Sequence, residues 1–166
     1  MRQSAVLALM FAVMSGGAYA QDAAGDRITG AIVLSELRAL GQAAKLDADP
    51  DGDPRVNLKV DGHDWAVYFY NCGPGSLEQR ACTSFQFFSG YKVANNFSPQ
   101  VLNRWNTEKR FAKAYLVRPR DGSNNARIEI DVLLPGTGAD PAKSFRAHYG
   151  RMKELAADFR KAIGRQ

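Results

Sequence analysis

The sequence predicts an α+β domain: an antiparallel sheet of about five or six strands packed with three helices. Three observations carry that prediction. Strand-like runs follow one another across short turn signals, which favours antiparallel neighbours. Residues 127–134 alternate strictly, with Ile128, Ile130, Val132 and Leu134 on one side and Arg127, Glu129 and Asp131 on the other, so one face of that strand meets water. Residues 141–166 repeat Phe145, Tyr149, Met152, Leu155, Phe159 and Ile163 at helical spacing, which makes a helix with one apolar face.

The chain has 166 residues, 45% of them apolar and 23% charged. That composition suits one globular domain and excludes disordered, collagenous and coiled-coil chains. Two cysteines exclude a disulfide-rich scaffold and most zinc sites. The order of elements begins after a predicted leader over residues 1–20. Arg2 supplies its positive start, Ala5 to Val13 its apolar stretch, and Ala18-Tyr19-Ala20 a small-x-small cleavage site. Nine apolar residues are too few to cross a hydrocarbon core that needs about 20. The expectation is an exported protein, periplasmic or secreted, cleaved after Ala20 and without a transmembrane segment.

Ile28 to Leu40 reads as the first helix, with Ile32, Val33, Leu37 and Leu40 on one side and Gly41 just past its end. Gln42 to Leu46 reads as a strand, and Asp49 to Pro54 as a turn. Val56 to Val60 alternates, and Asp61-Gly62 is a two-residue hairpin signal. Trp65 to Tyr70 and Thr83 to Phe88 are aromatic-rich strands on either side of a Gly-Pro-Gly-Ser loop. Ser98-Pro99 predicts a helix start, with a hydroxyl cap and proline at the first helical position; Leu102 and Trp105 face inward. Phe111 to Val117 is a strand, Asp121 to Asn125 a turn, and Asp140-Pro141 opens the last helix.

Cys72 and Cys82 lie at the inner ends of the two aromatic strands, a position that suits a bridge across the base of a hairpin. A loop of ten residues closed this way contributes roughly 2.5–3 kcal/mol. A redox role is disfavoured, because the spacing is not C-x-x-C and no basic neighbour is placed to lower a thiol pKa.

Other candidate chemistry is weaker. Asp47, Asp49, Asp51, Gly52 and Asp53 match the opening of a calcium loop, but its twelfth position is Leu58 rather than a glutamate, and strands flank it. An acidic turn is the expected reading. His63-Asp64 could act as base and acid neighbour, yet no nucleophile context accompanies it. Glu129 and Asp131 share a strand face, about 7 Å apart, as solvated charges do. No catalytic residue, metal or cofactor is expected. The basic excess, seven cations against two carboxylates over residues 141–166, fits a solvated helix face first, then an anionic membrane surface or an acidic protein partner, not nucleic acid in an exported protein.

The densest polar cluster is Asn103-Arg104-Trp105-Asn106-Thr107-Glu108-Lys109-Arg110. Asn103, Trp105, Asn106, Lys109 and Arg110 are a candidate binding surface. The same residues also have structural uses: Trp105 on the sheet, Asn103 or Asn106 on backbone groups where helix becomes strand, Lys109 and Arg110 at the negative helix end.

Asn103-x-Trp105-Asn106-x-x-Lys109-Arg110-Phe111, followed by Ala112 to Leu116, resembles the hallmark of the YbjN family of bacterial proteins, whose members are labelled sensory transduction regulators. Leu40-Gly41, Asp61-Gly62, the strands Tyr68 to Cys72 and Cys82 to Phe87, and Ile128 to Val132 agree with it. The resemblance implies a domain over 35–166 after an N-terminal segment at 21–34, with a fold similar to the type III secretion chaperones. It implies binding of other proteins and dimer formation, and carries over no catalytic residue. Cys72 and Cys82 fit its exported members.

The functional expectation is therefore a non-enzymatic exported domain that binds a protein or peptide through its sheet face or basic last helix. A homodimer through one sheet face is a variant, since Tyr68, Tyr70, Phe85, Phe87 and Phe88 offer much apolar surface. The alternative is a small-molecule or lipid-binding protein, which needs an enclosed apolar cavity.

Overall fold

A computed structural model describes residues 26–134, 136 and 138–165; the predicted leader and its cleavage site lie outside the described residues. The element order is α1 (Gly30–Ala39), β1 (Ala44–Ala48), β2 (Pro54–Val60), β3 (His63–Cys72), β4 (Cys82–Val93), α2 (Gln100–Glu108), β5 (Lys113–Val117), β6 (Asn124–Leu133) and α3 (Pro141–Ala162). The six strands form one sheet in the order β1-β2-β3-β4-β6-β5, and every neighbouring pair is antiparallel. Among the described residues the fold is thus α+β, an antiparallel sheet with three helices.

Local chemistry sets the elements. Thr29 caps α1, its hydroxyl accepting from the Ile32 amide at 3.2 Å. Past Leu40 the chain turns through Gly41 at φ 71°, with Gln42 N–H donating to the Leu37 carbonyl, a Schellman ending. Asp61 and Gly62 both have positive φ, 50° and 80°, as a type I′ hairpin turn requires. Gly30 is needed for packing: a Cβ there would lie 2.9 Å from the Leu77 carbonyl oxygen and from Leu46. Asp140 caps α3 on the Ala142 and Lys143 amides, with Pro141 in the first turn.

The core lies between the helices and one face of the sheet. Val56, Leu58, Trp65, Val67, Phe69, Phe85, Phe87, Ile128, Ile130 and Val132 point into it. Helix α3 lies across them: Phe145 approaches Phe85 and Phe87, and Tyr149 approaches Trp65 and Phe87. All six apolar positions read on α3 are buried. At about 25 cal/mol per Å² of apolar surface, burial of this kind dominates the favourable side of folding. Among the described residues no helix is long and apolar enough to cross a membrane.

Three local expectations need correction. Leu40 is not on the buried face of α1; it sits at the helix end and is exposed. The hydroxyl of Ser98 does not cap α2, because it donates to the Gln100 side chain; the amides of Val101 and Leu102 bond instead to the Ser98 and Pro99 carbonyls. The strand expected from Phe111 begins only at Lys113, since Phe111 adopts φ 72° and breaks the extended backbone.

Candidate functional site

Strand alternation assigns every second side chain to the face that no described helix covers. On β3 these are Ala66, Tyr68 and Tyr70; on β4, Ser84, Gln86 and Phe88; on β6, Arg127, Glu129 and Asp131; on β5, Lys113 and Tyr115. The register sets them in rows, Ala66-Phe88-Glu129-Lys113 and Tyr68-Gln86-Asp131. The result is an aromatic patch beside a charged one.

In the aromatic patch the Tyr68 and Phe88 rings meet edge to face, with centroids 5.9 Å apart, and the Arg127 guanidinium lies over Phe88 at 5.3 Å. Tyr70 is 40% exposed. The charged patch is a closed network around Glu129. Its carboxylate accepts from the Tyr115 hydroxyl, from Gln86 Nε2 at 3.3 Å, and pairs with Lys113 Nζ at 3.1 Å. Asp131 accepts from the same Gln86 amide at 2.5 Å and from Lys113 at 2.9 Å.

Sequence alternation placed Glu129 in water, yet it is only 6% exposed. Tyr115, Lys113 and Gln86 cover it from both neighbouring strands, and each of them supplies it a donor. Burial lifts the Tyr115 phenol above its ordinary range, and its bond to Glu129 adds to this. Burial also acts to raise Asp131, but the Lys113 and Gln86 hydrogen bonds outweigh it, and the carboxyl lies below its ordinary range. Lys113, hydrogen-bonded to Asp131, is raised.

The hallmark residues sit on the other side of the sheet. Trp105 is buried against Phe159, with ring centroids 5.0 Å apart. Asn106 joins helix to strand: its amide donates to the Ala114 carbonyl at 2.9 Å, and its oxygen accepts from the Ala114 N–H at 2.8 Å. Lys109 bonds Asp158 at 2.7 Å and lies over the Trp105 ring. Arg110 stacks on exposed Phe111 at 5.0 Å, and Asn103 is exposed on α2. These five residues therefore do not form one surface; three tie α2 to β5 and α3, and two face outward.

The remaining candidates separate. Cys72 and Cys82 face each other in register and are joined, with S–S 2.09 Å. His63 packs edge-on to Tyr91, while the next residue, Asp64, points the other way to Lys59 at 2.6 Å, so they do not act as a pair. Asp49 Oδ1 accepts from the Asp51 and Asp53 amides, Asp53 pairs with Arg80, and Asp47 with Arg55, which is an acidic turn. On α3, Arg146, Arg151, Arg160 and Lys161 pair with Glu36, Glu154, Asp61 and Asp158. Only Glu36 and Asp61 come from outside the helix, so its basic excess is reduced but not cancelled.

Comparison with known proteins agrees with this architecture. A crystal structure of YbjN from E. coli, described there as a putative transcription regulator, superposes with a TM-score of 0.57 at 14% identity, over 79% of this chain and 85% of that one. Over 98 residues the chain is 35% identical to the mitochondrial electron transfer flavoprotein-ubiquinone oxidoreductase of Bos taurus. That alignment takes in 52% of this chain but spans only 15% of the oxidoreductase's length. A family model described as "Putative bacterial sensory transduction regulator" matches residues 29–165, and the chain belongs to that family, YbjN.

Proposed function

We propose that this chain is an exported, non-catalytic domain that binds a protein or peptide partner through the uncovered face of its sheet. One observation carries the reading. All three helices lie against the same face, so Tyr68, Tyr70 and Phe88 meet solvent beside Arg127 and the Lys113-Glu129-Asp131 network. Aromatic side chains framed by arginine, with little charge at the centre, have the composition of interface cores. The regulator description of the family supports a binding role, and a cross-strand disulfide suits an oxidising compartment. A second copy of the chain is one such partner.

The aromatic patch makes the sheet face the better of the two surfaces, since the last helix offers charge that is already partly paired. The lipid-binding alternative gains nothing from the hollows seen. The one between α2 and α3, about 580 Å³, is open, and Val101, Trp105 and Ala162 share its lining with Arg104, Glu108, Lys109, Asp158 and Lys161, whereas an acyl chain calls for an enclosed apolar cavity.

The test is site-specific photo-crosslinking in the producing cell, with a benzophenone side chain at Tyr68 and, as control, at exposed Lys153 on α3. A discrete adduct from position 68, absent from 153 and lost on Phe88→Glu, is the expected outcome. Equal adducts from both positions would overturn the reading.

A further inference from the structure

The last residues of β6 have an edge that no described strand covers. Leu134 N–H donates to the Thr83 carbonyl at 2.9 Å. In the β4–β6 register this makes the even-numbered residues of β6 bond to β4, while the odd-numbered ones present N–H and C=O to the other side. Arg127 and Glu129 use theirs on β5. Strand β5 starts at Lys113, opposite Glu129, so among the described residues Asp131 and Leu133 have no strand beside them.

The chain is turned away from this slot by Phe111, a non-glycine residue at φ 72° whose ring is 65% exposed. Leu133 is 72% exposed at the same edge. Next to the slot, on the helix side, is a cleft of about 380 Å³ lined by Phe111, Ile130, Asp131, Ala147, His148 and Arg151. The Arg110 and Arg151 guanidinium groups lie over the Phe111 ring at 5.0 and 5.7 Å.

We propose that the Asp131–Leu133 edge takes up an extended segment of a partner protein as an added strand, with an apolar side chain in the Phe111 cleft and a carboxylate against Arg151. Backbone pairing to an open edge supplies affinity, and the pocket for alternate side chains supplies selectivity. Three cations, Arg110, Lys113 and Arg151, stand against three carboxylates, Glu129, Asp131 and Glu154; Lys113 is taken by Glu129 and Asp131, so the cations an acidic segment meets are Arg110, stacked on Phe111, and Arg151, whose pair with Glu154 is exposed on both sides. The proposal rests on the reading of the chain as a peptide-binding domain and adds the edge to the face.

The experiment selects from a phage library of random dodecapeptides on the disulfide-intact chain, then scans the selected peptide by single N-methylation. Strand addition requires that methylation at every second residue weakens binding about tenfold or more, while the intervening positions tolerate it. Leu133→Pro, which removes an outward N–H that β4 does not use, and Arg151→Glu lower affinity similarly, and Phe88→Glu does not. The methylation scan needs no altered protein, so a misfolded Leu133→Pro variant leaves the test intact. A scan without a period of two overturns the proposal. So does loss on Phe88→Glu with Leu133→Pro silent, which moves the peptide to the sheet face and keeps the binding reading. A two-chain particle split by Leu133→Pro in sedimentation assigns the edge to a second copy and overturns it too. Failure to select any peptide overturns both.

Discussion

The two faces of this sheet are built from the same strands, one residue out of phase, and they differ in kind. On the helix side Trp65, Phe69, Phe85 and Phe87 are closed in by α3 and its neighbours, and aromatic rings meet aromatic rings. On the other side Tyr68, Tyr70 and Phe88 alternate with Gln86, Glu129, Asp131 and Lys113, whose polar atoms satisfy one another across strands. The covered face follows from apolar burial alone. The uncovered face carries aromatic surface that no described helix covers, beside a glutamate closed in by Tyr115, Lys113 and Gln86, which points to use as well as stability.

Substitutions in the covered face should break the fold, and those in the open face should break binding. The largest stability effect falls beneath α3: Phe87→Ala should cost about 3–5 kcal/mol in chemical denaturation. Its neighbour Phe88→Ala, one residue away on the open side, should cost about 1 kcal/mol. Equal losses would erase the distinction between the faces.

Next in size is the hairpin closure. Replacing both Cys72 and Cys82 by serine should lower stability by about 3 kcal/mol, read as a fall in the denaturation midpoint with the fold retained. Glu129→Ala is smaller. It takes the acceptor from the Tyr115 hydroxyl and leaves Lys113 and Gln86 with Asp131 alone, and about 2 kcal/mol is expected, whereas Glu129→Gln should recover part of it.

The smallest effect concerns pH. The Asp131 carboxyl is depressed, so its contribution is present above its ordinary value of 3.8 and is lost as pH falls below that. Lys113 is raised, so its share is present at lower pH and is lost only as pH climbs past its ordinary value of 10.5. Between the two the Asp131 and Lys113 shares are both constant. Thermal unfolding should therefore weaken less steeply with acid in Asp131→Asn than in the unaltered chain; identical slopes would remove Asp131 from the network.

Much of this was legible in the residues, because periodicity reports burial. The α3 stripe, the Ile128-Ile130-Val132 alternation and the Asp61-Gly62 turn each have a local cause. Glu129 did not, because its partners Gln86 and Lys113 are brought beside it by strand pairing, and alternation on one strand cannot show what the next strand supplies. The end of β4 was missed as well: Ser89 and Gly90 interrupt the apolar pattern, yet the strand continues to Val93 opposite β6. Nor does any local signal show that all three helices share one face. The hallmark cluster allowed both a binding surface and a packing role from sequence, and the packing contacts are Asn106 clasping Ala114 and Trp105 under Phe159.

Hydroxyl-radical footprinting of the chain in the producing cell, set against the purified chain, tests the central claim most directly. The expected result is that Tyr68, Tyr70 and Phe88 are oxidised in the purified chain and protected in the cell, while Phe85 and Phe87 stay protected in both. Equal oxidation of Tyr68, Tyr70 and Phe88 in both settings would contradict it, since the open face would then have no partner.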